Sequence, residues 1–387
     1  MGFGGMISEF DVIICGAGPA GCTAALTLGS SGLKIALIEK KKFPREKVCG
    51  DAIPAYIPKV LGTINPEYAK AFEGLAGRNK VNICRIVSPE KKSLDLKFSE
   101  YGYICRRMIF DAFLFDHACR LPDITVFQET TVENVSGSAD KIKIRTDKNL
   151  DLKTRLVIGC DGANSLLRRY LTGKETNFNY CSSAVRAYFK NVSDNPPDTF
   201  ELHFLKELLP GYFWIFPLQD NQFNVGLGLP SATVTGRKIN MRREFLRIIE
   251  KVPNISNRFL RAELISEIQG SLLPLWSRKT PVSGNNLMLC GDAASLINPA
   301  SGAGIGQAMQ SGRFAGWQAL KCFDKNDFSA KYMKSYDNTI REKLWKENRQ
   351  YLLMRELILK NAWALDSIIS AGHEWVSINK MIAQHLG

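Results

Sequence analysis

Three stretches of the chain set an acidic side chain beside glycines in ways that suit a phosphate, a sugar hydroxyl or a flat ring. The first is Gly16-Ala17-Gly18-Pro19-Ala20-Gly21, with Glu39 following 18 residues after its last glycine. In such a Gly-x-Gly-x-x-Gly row, Gly16 allows a sharp turn and Gly18 lets a pyrophosphate approach the backbone. Gly21 lets a helix pack closely on a strand. The N–H groups and dipole at the helix start favour the phosphates. Glu39 is placed to accept hydrogen bonds from a ribose 2′-hydroxyl, which disfavours a 2′-phosphate. This row indicates a dinucleotide and leaves NAD and FAD both open. The second stretch is Gly159-Cys160-Asp161-Gly162, with Ser165 and Arg168 after it. The third is Gly291-Asp292, followed by Pro299, Gly302, Gly304 and Gly306. Each offers a carboxylate and bare backbone to a polyol and a flavin edge. Singly, either is an ordinary Asp-Gly turn; three such turns in this order favour FAD.

A different chemistry is suggested by YFWIFPLQDNQFNVGLG, Tyr212 to Gly228. Strand alternation puts Tyr212, Trp214 and Phe216 on one face, a long flat apolar wall suited to an extended hydrocarbon. Pro217 closes the run, and Gly226 and Gly228 follow a polar turn. The aromatics alone fit an ordinary half-buried sheet face equally well. The last candidate is Cys49, in the polar loop FPREKVCGDAI between Pro44-Arg45 and Gly50. Most lone cysteines are inert core residues, and the other nine are expected in the core.

The elements that must position these residues follow from periodicity. Val12 to Cys15 read as a strand, CTAALTL as a small-residue helix, and KIALIEK as the next strand, ending at Glu39. Leu156–Ile158 and Leu287–Cys290 are strands leading into the other two turns. The pattern predicts an α/β chain of two domains: a Rossmann-like dinucleotide-binding domain, an inserted antiparallel β-sheet domain for substrate, and a C-terminal helical segment. The expected bounds are 1–80, 101–175 and 274–322 for the cofactor domain. Residues 81–100 and 176–273 form the sheet domain, and 323–387 the helical region. Within the last, KYMKSYDNTIREKLWKENRQYLLMRELILK reads as a solvated helix packed on the body. Its alternative is a basic amphipathic face toward an anionic membrane.

Bulk properties narrow the field. At 387 residues, 45% hydrophobic and 23% charged, the chain is an ordinary globular protein with a sizeable core. A net charge of +13 suits phosphates, anionic cofactors, nucleic acid or a membrane surface; no recognised motif supports nucleic acid, which is not an expected partner. The ten cysteines form no C-x-x-C pair and the four histidines lie far apart, so neither a metal site nor a disulfide framework is expected. Scattered thiols point to a reducing compartment, the cytoplasm by default. VIICGAGPAGCTAALTLGSSGL is punctuated by Gly and Pro and lacks a basic flank, which argues against a signal peptide or span. Met6 stands where a myristoylation signal needs Ser or Thr. The expected protein is soluble, at most peripheral to a membrane.

With all three turns in place, the chain resembles the FAD-dependent superfamily of p-hydroxybenzoate hydroxylase, from about Glu9 to Trp317. The resemblance implies that Asp292 binds the ribityl chain, that Gly302 to Gly306 lie along the isoalloxazine and pyrophosphate, and that Asp161 supports both FAD and a nicotinamide donor. Arg107, in RRMIFDAFLFDHA, matches the arginine that reaches the flavin side. The implied cofactor set is Gly16, Gly18, Pro19, Ala20, Gly21, Glu39, Lys40, Arg45, Cys49, Gly50, Arg107, Asp161, Gly162, Gly291, Asp292, Pro299, Gly302, Gly304, Ile305 and Gly306. Tyr-x-Trp-x-Phe-Pro, eight residues, Gly-x-Gly is similar to the signature of geranylgeranyl reductases, as is Cys49-Gly50. That branch usually continues Cys-Gly-Gly, whereas this chain has Asp51. The resemblance implies reduction of C=C bonds in a prenyl or other polyunsaturated chain, with NAD(P)H or another electron donor as transient reductant. It places Cys49 beside the flavin as the candidate catalytic residue, its role unassigned. Tyr212, Trp214, Phe216, Pro217, Gly226 and Gly228 would form the pocket for a hydrophobic or lipid substrate. The rival activity is FAD-dependent hydroxylation of an aromatic or polyene, followed by halogenation. Oligomeric state is not indicated.

Overall fold

The structure, a computed structural model, describes residues 7–137, 141–276, 280–345, and 366, 367 and 369. The chain opens with β1 (Ile7–Cys15), α1 (Pro19–Leu28), β2 (Ile35–Ile38), β3 (Ala52–Ile53), α2 (Ile57–Gly62), α3 (Pro66–Glu73), β4 (Arg78–Val87) and β5 (Ser93–Cys105). It continues through α4 (Arg107–Cys119), β6 (Ile124–Phe127), β7 (Val132–Gly137), β8 (Ile142–Thr146), β9 (Asp151–Gly159) and α5 (Leu166–Thr172). The third part holds β10 (Cys181–Lys190), β11 (Thr199–His203), β12 (Tyr212–Pro217), β13 (Gln222–Pro230), α6 (Ser231–Gly236), α7 (Met241–Lys251), α8 (Pro253–Ser256), β14 (Glu263–Leu264) and β15 (Gln269–Pro274). Last come β16 (Ser283–Gly284), β17 (Leu287–Leu289), α9 (Ile305–Lys325) and α10 (Ala330–Ile340).

The first sheet runs in the order β16-β17-β9-β1-β2-β6, with the β7–β8 hairpin joined to β9. Its inner strands are parallel and their side chains are buried on both faces, which is why Val12-Ile13-Ile14-Cys15 is a continuous apolar run rather than an alternating one. β17, β9 and β1 are parallel neighbours, so the turns leaving their carboxyl ends open side by side. Those are the three acid–glycine turns, far apart in sequence and adjacent in space. Small residues let helices close over this sheet. A Cβ at Gly21 would stand 1.8 Å from the Gly16 carbonyl oxygen, and one at Gly312 of α9 would stand 2.1 Å from that of Ala20 in α1.

The second sheet has the order β14-β10-β13-β12-β11-β4-β5-β3, with β15 also on β10. Successive side chains of its strands point to opposite faces, and along β12 and β13 both faces are buried. Val185, Phe213, Ile215 and Val225 pack with Phe245, Ile248 and Ile255 of α7 and α8. Ala184, Tyr188, Trp214 and Phe216 point the other way, with Val81 and Ile104. The expected all-antiparallel arrangement is corrected at one seam, where β4 and β11 are parallel. Those strands are distant in sequence, so no tight turn constrains their direction. The sheet also takes in 52–53 and 78–105, a wider share of the early chain than the expected 81–100. Of the expected C-terminal region, the end of α9, α10 and a π-helical turn at Arg341–Trp345 are described, and Ile369 packs with Cys84, Leu94 and Phe98 of β4 and β5. The rest of the basic amphipathic stretch lies outside the described residues.

Candidate active site

A cavity of about 1350 Å³ runs from the three turns to the inner face of the second sheet. At the nucleotide end, Glu39 accepts from the backbone N–H groups of Ala17 and Lys41, each at 3.0 Å. Arg45 lies 3.6 Å from Glu39 and 3.1 Å from Asp111, and Asp111 is gripped by Arg107 through two hydrogen bonds of 2.6 and 2.7 Å. Burial works against the Arg107 charge, yet the Asp111 carboxylate holds its pKa above the usual guanidinium value. Asp292 lines the cavity with Lys47 Nζ 4.0 Å away. Asp161 also reaches the wall, but its carboxylate is engaged at the start of α5, accepting from the Ser165 hydroxyl at 2.5 Å and the Leu167 N–H at 3.2 Å. Burial raises its pKa.

At the other end the aromatic row forms the wall that strand alternation predicts. Ring centroids of Tyr212 and Trp214, and of Trp214 and Phe216, are each 6.1 Å apart. Tyr212 donates its hydroxyl to the Ser301 carbonyl, which joins the wall to the third turn. Phe216 lies against Gly50, where a Cβ would come within 3.1 Å of its ring. Val81, Phe98, Ile104, Phe200 and Leu202 continue the apolar lining. Cys49, half-buried, is on the wall with its thiol beside Arg107.

Four of the residues predicted for the site do not line the cavity: Gly21, Pro217, Gly226 and Gly306. The three glycines admit neighbours instead. Gly226 faces Trp214 across the β12–β13 ladder and its missing Cβ would fall 2.1 Å from the indole, while Gly306 leaves room for the Tyr56 hydroxyl at 1.9 Å. Pro217 ends β12 in the buried sheet. The expectation for the cysteines is corrected at two positions: Cys119 is exposed and Cys160 is half-buried on the cavity wall, while Cys15, Cys22, Cys84, Cys105, Cys181, Cys290 and Cys322 are buried. The sequence reading missed Asn224, Tyr188 and Arg313. Asn224 was visible only as a polar residue within an apolar strand. Arg313 belongs to α9, where helical spacing puts Gln310, Arg313 and Trp317 on one side, all lining the cavity.

The sequence profile of the FAD binding domain family matches residues 9–347. The chain belongs to that family. It is 28% identical to the digeranylgeranylglycerophospholipid reductase of Methanocella arvoryzae, over 98% of this chain and 96% of that one. It is 29% identical to the enzyme of the same name from Thermoplasma acidophilum, over 96% and 93%. Among solved structures, a geranylgeranyl bacteriochlorophyll reductase-like protein from Thermoplasma acidophilum superposes with a TM-score of 0.84 at 26% identity, covering 96% of this chain and 93% of the other. A flavin-dependent halogenase at 23% identity and TM-score 0.73 shares the fold.

The residues present fit FAD. Helices α1 and α9 both start at glycines, Gly18 and Gly304, with no side chain capping their first N–H groups, and both starts line the cavity. Arg45 Nε is buried without a hydrogen-bond partner, and Arg45 Nη2 is the nearest atom, at 3.5 Å, to where a Gly18 Cβ would stand. Unclaimed N–H groups and a guanidinium at a helix start are what a pyrophosphate requires.

Proposed function

We propose that this protein saturates carbon–carbon double bonds of a prenyl or similar polyunsaturated chain. The observation that carries this reading is continuity: the cavity that fits FAD is the one walled by Tyr212, Trp214 and Phe216. The names of the near-full-length relatives support it. When bound and reduced, FAD would supply the hydride. The chain's own residues place the alkene, exclude water and supply the proton. The aromatic row with Phe200 and Leu202 desolvates the chain and holds it flat. Cys49 is the proton donor in this reading: its S–H bond breaks as the second C–H bond forms. The thiolate left behind faces Arg107 and regains its proton from solvent. NAD(P)H or another electron donor would serve as the transient reductant.

A phospholipid substrate, of the kind named for the relatives, also brings a phosphate. Arg45, Arg107, Arg169 and Arg186 on the cavity wall each face a carboxylate. Arg313 faces none among the described residues; it donates from Nη1 to the Thr63 hydroxyl, and its Nε is buried without a hydrogen-bond partner. Lys59 and Trp317, both exposed, line the same cavity where it reaches the surface, and Arg313 lies 4.8 Å from the Trp317 ring. A headgroup phosphate belongs there in this reading, with Trp317 at a lipid interface. No helix among the described residues is long and apolar enough to cross a membrane.

The test is the mass change of a panel of polyprenyl compounds incubated with the FAD-loaded protein and a reductant, with and without oxygen. Gains in pairs of hydrogens that persist without oxygen establish the reductase. A gain of one oxygen, only in air, establishes a hydroxylase instead.

A further inference from the structure

Asp51 stands where the Cys49 segment meets the second sheet. It is fully buried, lies behind the cavity wall, and has a φ of 65°, a left-handed backbone that glycine adopts freely, Asp and Asn adopt occasionally and other residues adopt at a cost of about 1–2 kcal/mol. Its carboxylate explains why an acid is held there. Oδ2 accepts from the Tyr188 hydroxyl and from Asn224 Nδ2, each at 2.8 Å. The same Nδ2 also donates to the Cys49 carbonyl at 2.8 Å, and Asn224 Oδ1 accepts from the Trp214 indole N–H at 2.8 Å. The Asp51 carbonyl accepts from the Cys105 N–H at 3.0 Å. One side chain thus ties the Cys49 segment to β10 and β13 and, through Asn224, to the aromatic wall on β12.

We infer that Asp51 is a positioning residue for turnover: its ionised carboxylate fixes Trp214 and the Cys49 segment relative to one another, and protonating it loosens both. This rests on the reduction reading and adds the residue that orients the site and a pH control on it. The groups around Asp51 make the ionised form sensitive. Arg186 and Tyr188 face it from β10, Arg107 from α4 and Cys105 from β5. Arg106 and Arg186 lie 4.2 and 4.1 Å from the Tyr188 ring, and Arg186 is paired with Glu46 at 2.9 Å. Burial raises the Asp51 carboxyl to about 6, against the opposing pull of the Asn224 and Tyr188 hydrogen bonds and the two arginines. Oδ1 is buried with no hydrogen-bond partner, so a proton there finds no acceptor while weakening both bonds at Oδ2.

The test compares the FAD-loaded full chain with Asp51→Asn and Asp51→Gly. Glycine accepts the left-handed backbone without strain, so that variant folds even where the amide is poorly accommodated. Both are expected to keep FAD, to lose about tenfold or more in kcat at neutral pH, and to change KM by less than about threefold. The acid limb of wild-type kcat, centred at about pH 6, is expected to be absent from both. Infrared difference spectra of wild type against Asp51→Asn should show a carboxylic-acid carbonyl band that disappears between about pH 5 and pH 7. Wild-type kcat in either variant, or an unchanged acid limb, overturns the inference, as does lost stability with unaltered kcat. If the wild type leaves every polyprenyl compound intact, the reductase reading fails on its own. The infrared band then decides: its absence from the wild type overturns the titration of Asp51, and its presence supports it.

Discussion

Replacing Trp214 with alanine separates a substrate wall from a structural one. The indole is 6% exposed, packs over Gly226 and donates to Asn224 at 2.8 Å. Truncating a buried tryptophan costs about 3–5 kcal/mol. Because one side of this ring faces the cavity, the lower end applies, with about 1 kcal/mol more for the lost hydrogen bond. A domain of ordinary stability, about 5–15 kcal/mol, survives that loss. Turnover is affected differently, since without the ring the alkene is free to shift by an ångström or so, which costs about 100-fold. Trp214→Phe keeps an apolar ring while dropping the N–H and part of the ring volume, so its loss of turnover is expected to be smaller than that of the alanine variant. FAD content by absorbance, thermal midpoint and polyprenyl turnover are measured for all three proteins. The expected alanine variant is yellow, folded and slow. Release of FAD, or turnover within about twofold of wild type, refutes the assignment of the wall to substrate.

Stability should fall as pH rises through the Asp51 transition. The folded chain keeps a proton up to about pH 6 that the unfolded carboxyl releases near 3.8, so the contribution is full below that lower value. It is lost by about 3 kcal/mol above the higher one, and urea midpoints of Asp51→Asn should lack this slope. Gly18→Ala adds a Cβ with nothing nearer than 3.5 Å, so the fold should change by less than about 1 kcal/mol while FAD titration weakens about tenfold or more. Gly21→Ala meets a carbonyl oxygen at 1.8 Å and should instead lose about 1–3 kcal/mol of folding stability, read by thermal denaturation. Arg313→Ala should raise KM about tenfold for prenyl lipids that carry phosphate and leave phosphate-free polyprenols unchanged. Equal effects on both classes would remove the phosphate from the argument.

The features legible from sequence are those generated over short stretches of chain. Strand, glycine turn and helix are local, so the units around Gly16–Gly21, Asp161 and Asp292 could be read directly. Alternation of period two likewise put Tyr212, Trp214 and Phe216 on one face, and that face lines the cavity. The same rule could not say that Gly226 is a bed for the indole, because that depends on which residue stands opposite across the ladder. Nor could it anticipate the parallel seam between β4 and β11, whose partners are over a hundred residues apart.

Sequence by itself determined the FAD fold, its three turns and the direction in which the aromatic row points, since each follows from backbone geometry over a few residues. Tertiary structure decided that the turns meet, because β17, β9 and β1 are neighbours in one parallel sheet. It also decided that Asp51, Tyr188 and Asn224 form one buried network behind Cys49 and Trp214. A hydrogen bond between residues so far apart in the chain has no local signature. It exists only once the Cys49 segment has packed on the second sheet and excluded the water that would otherwise satisfy those groups.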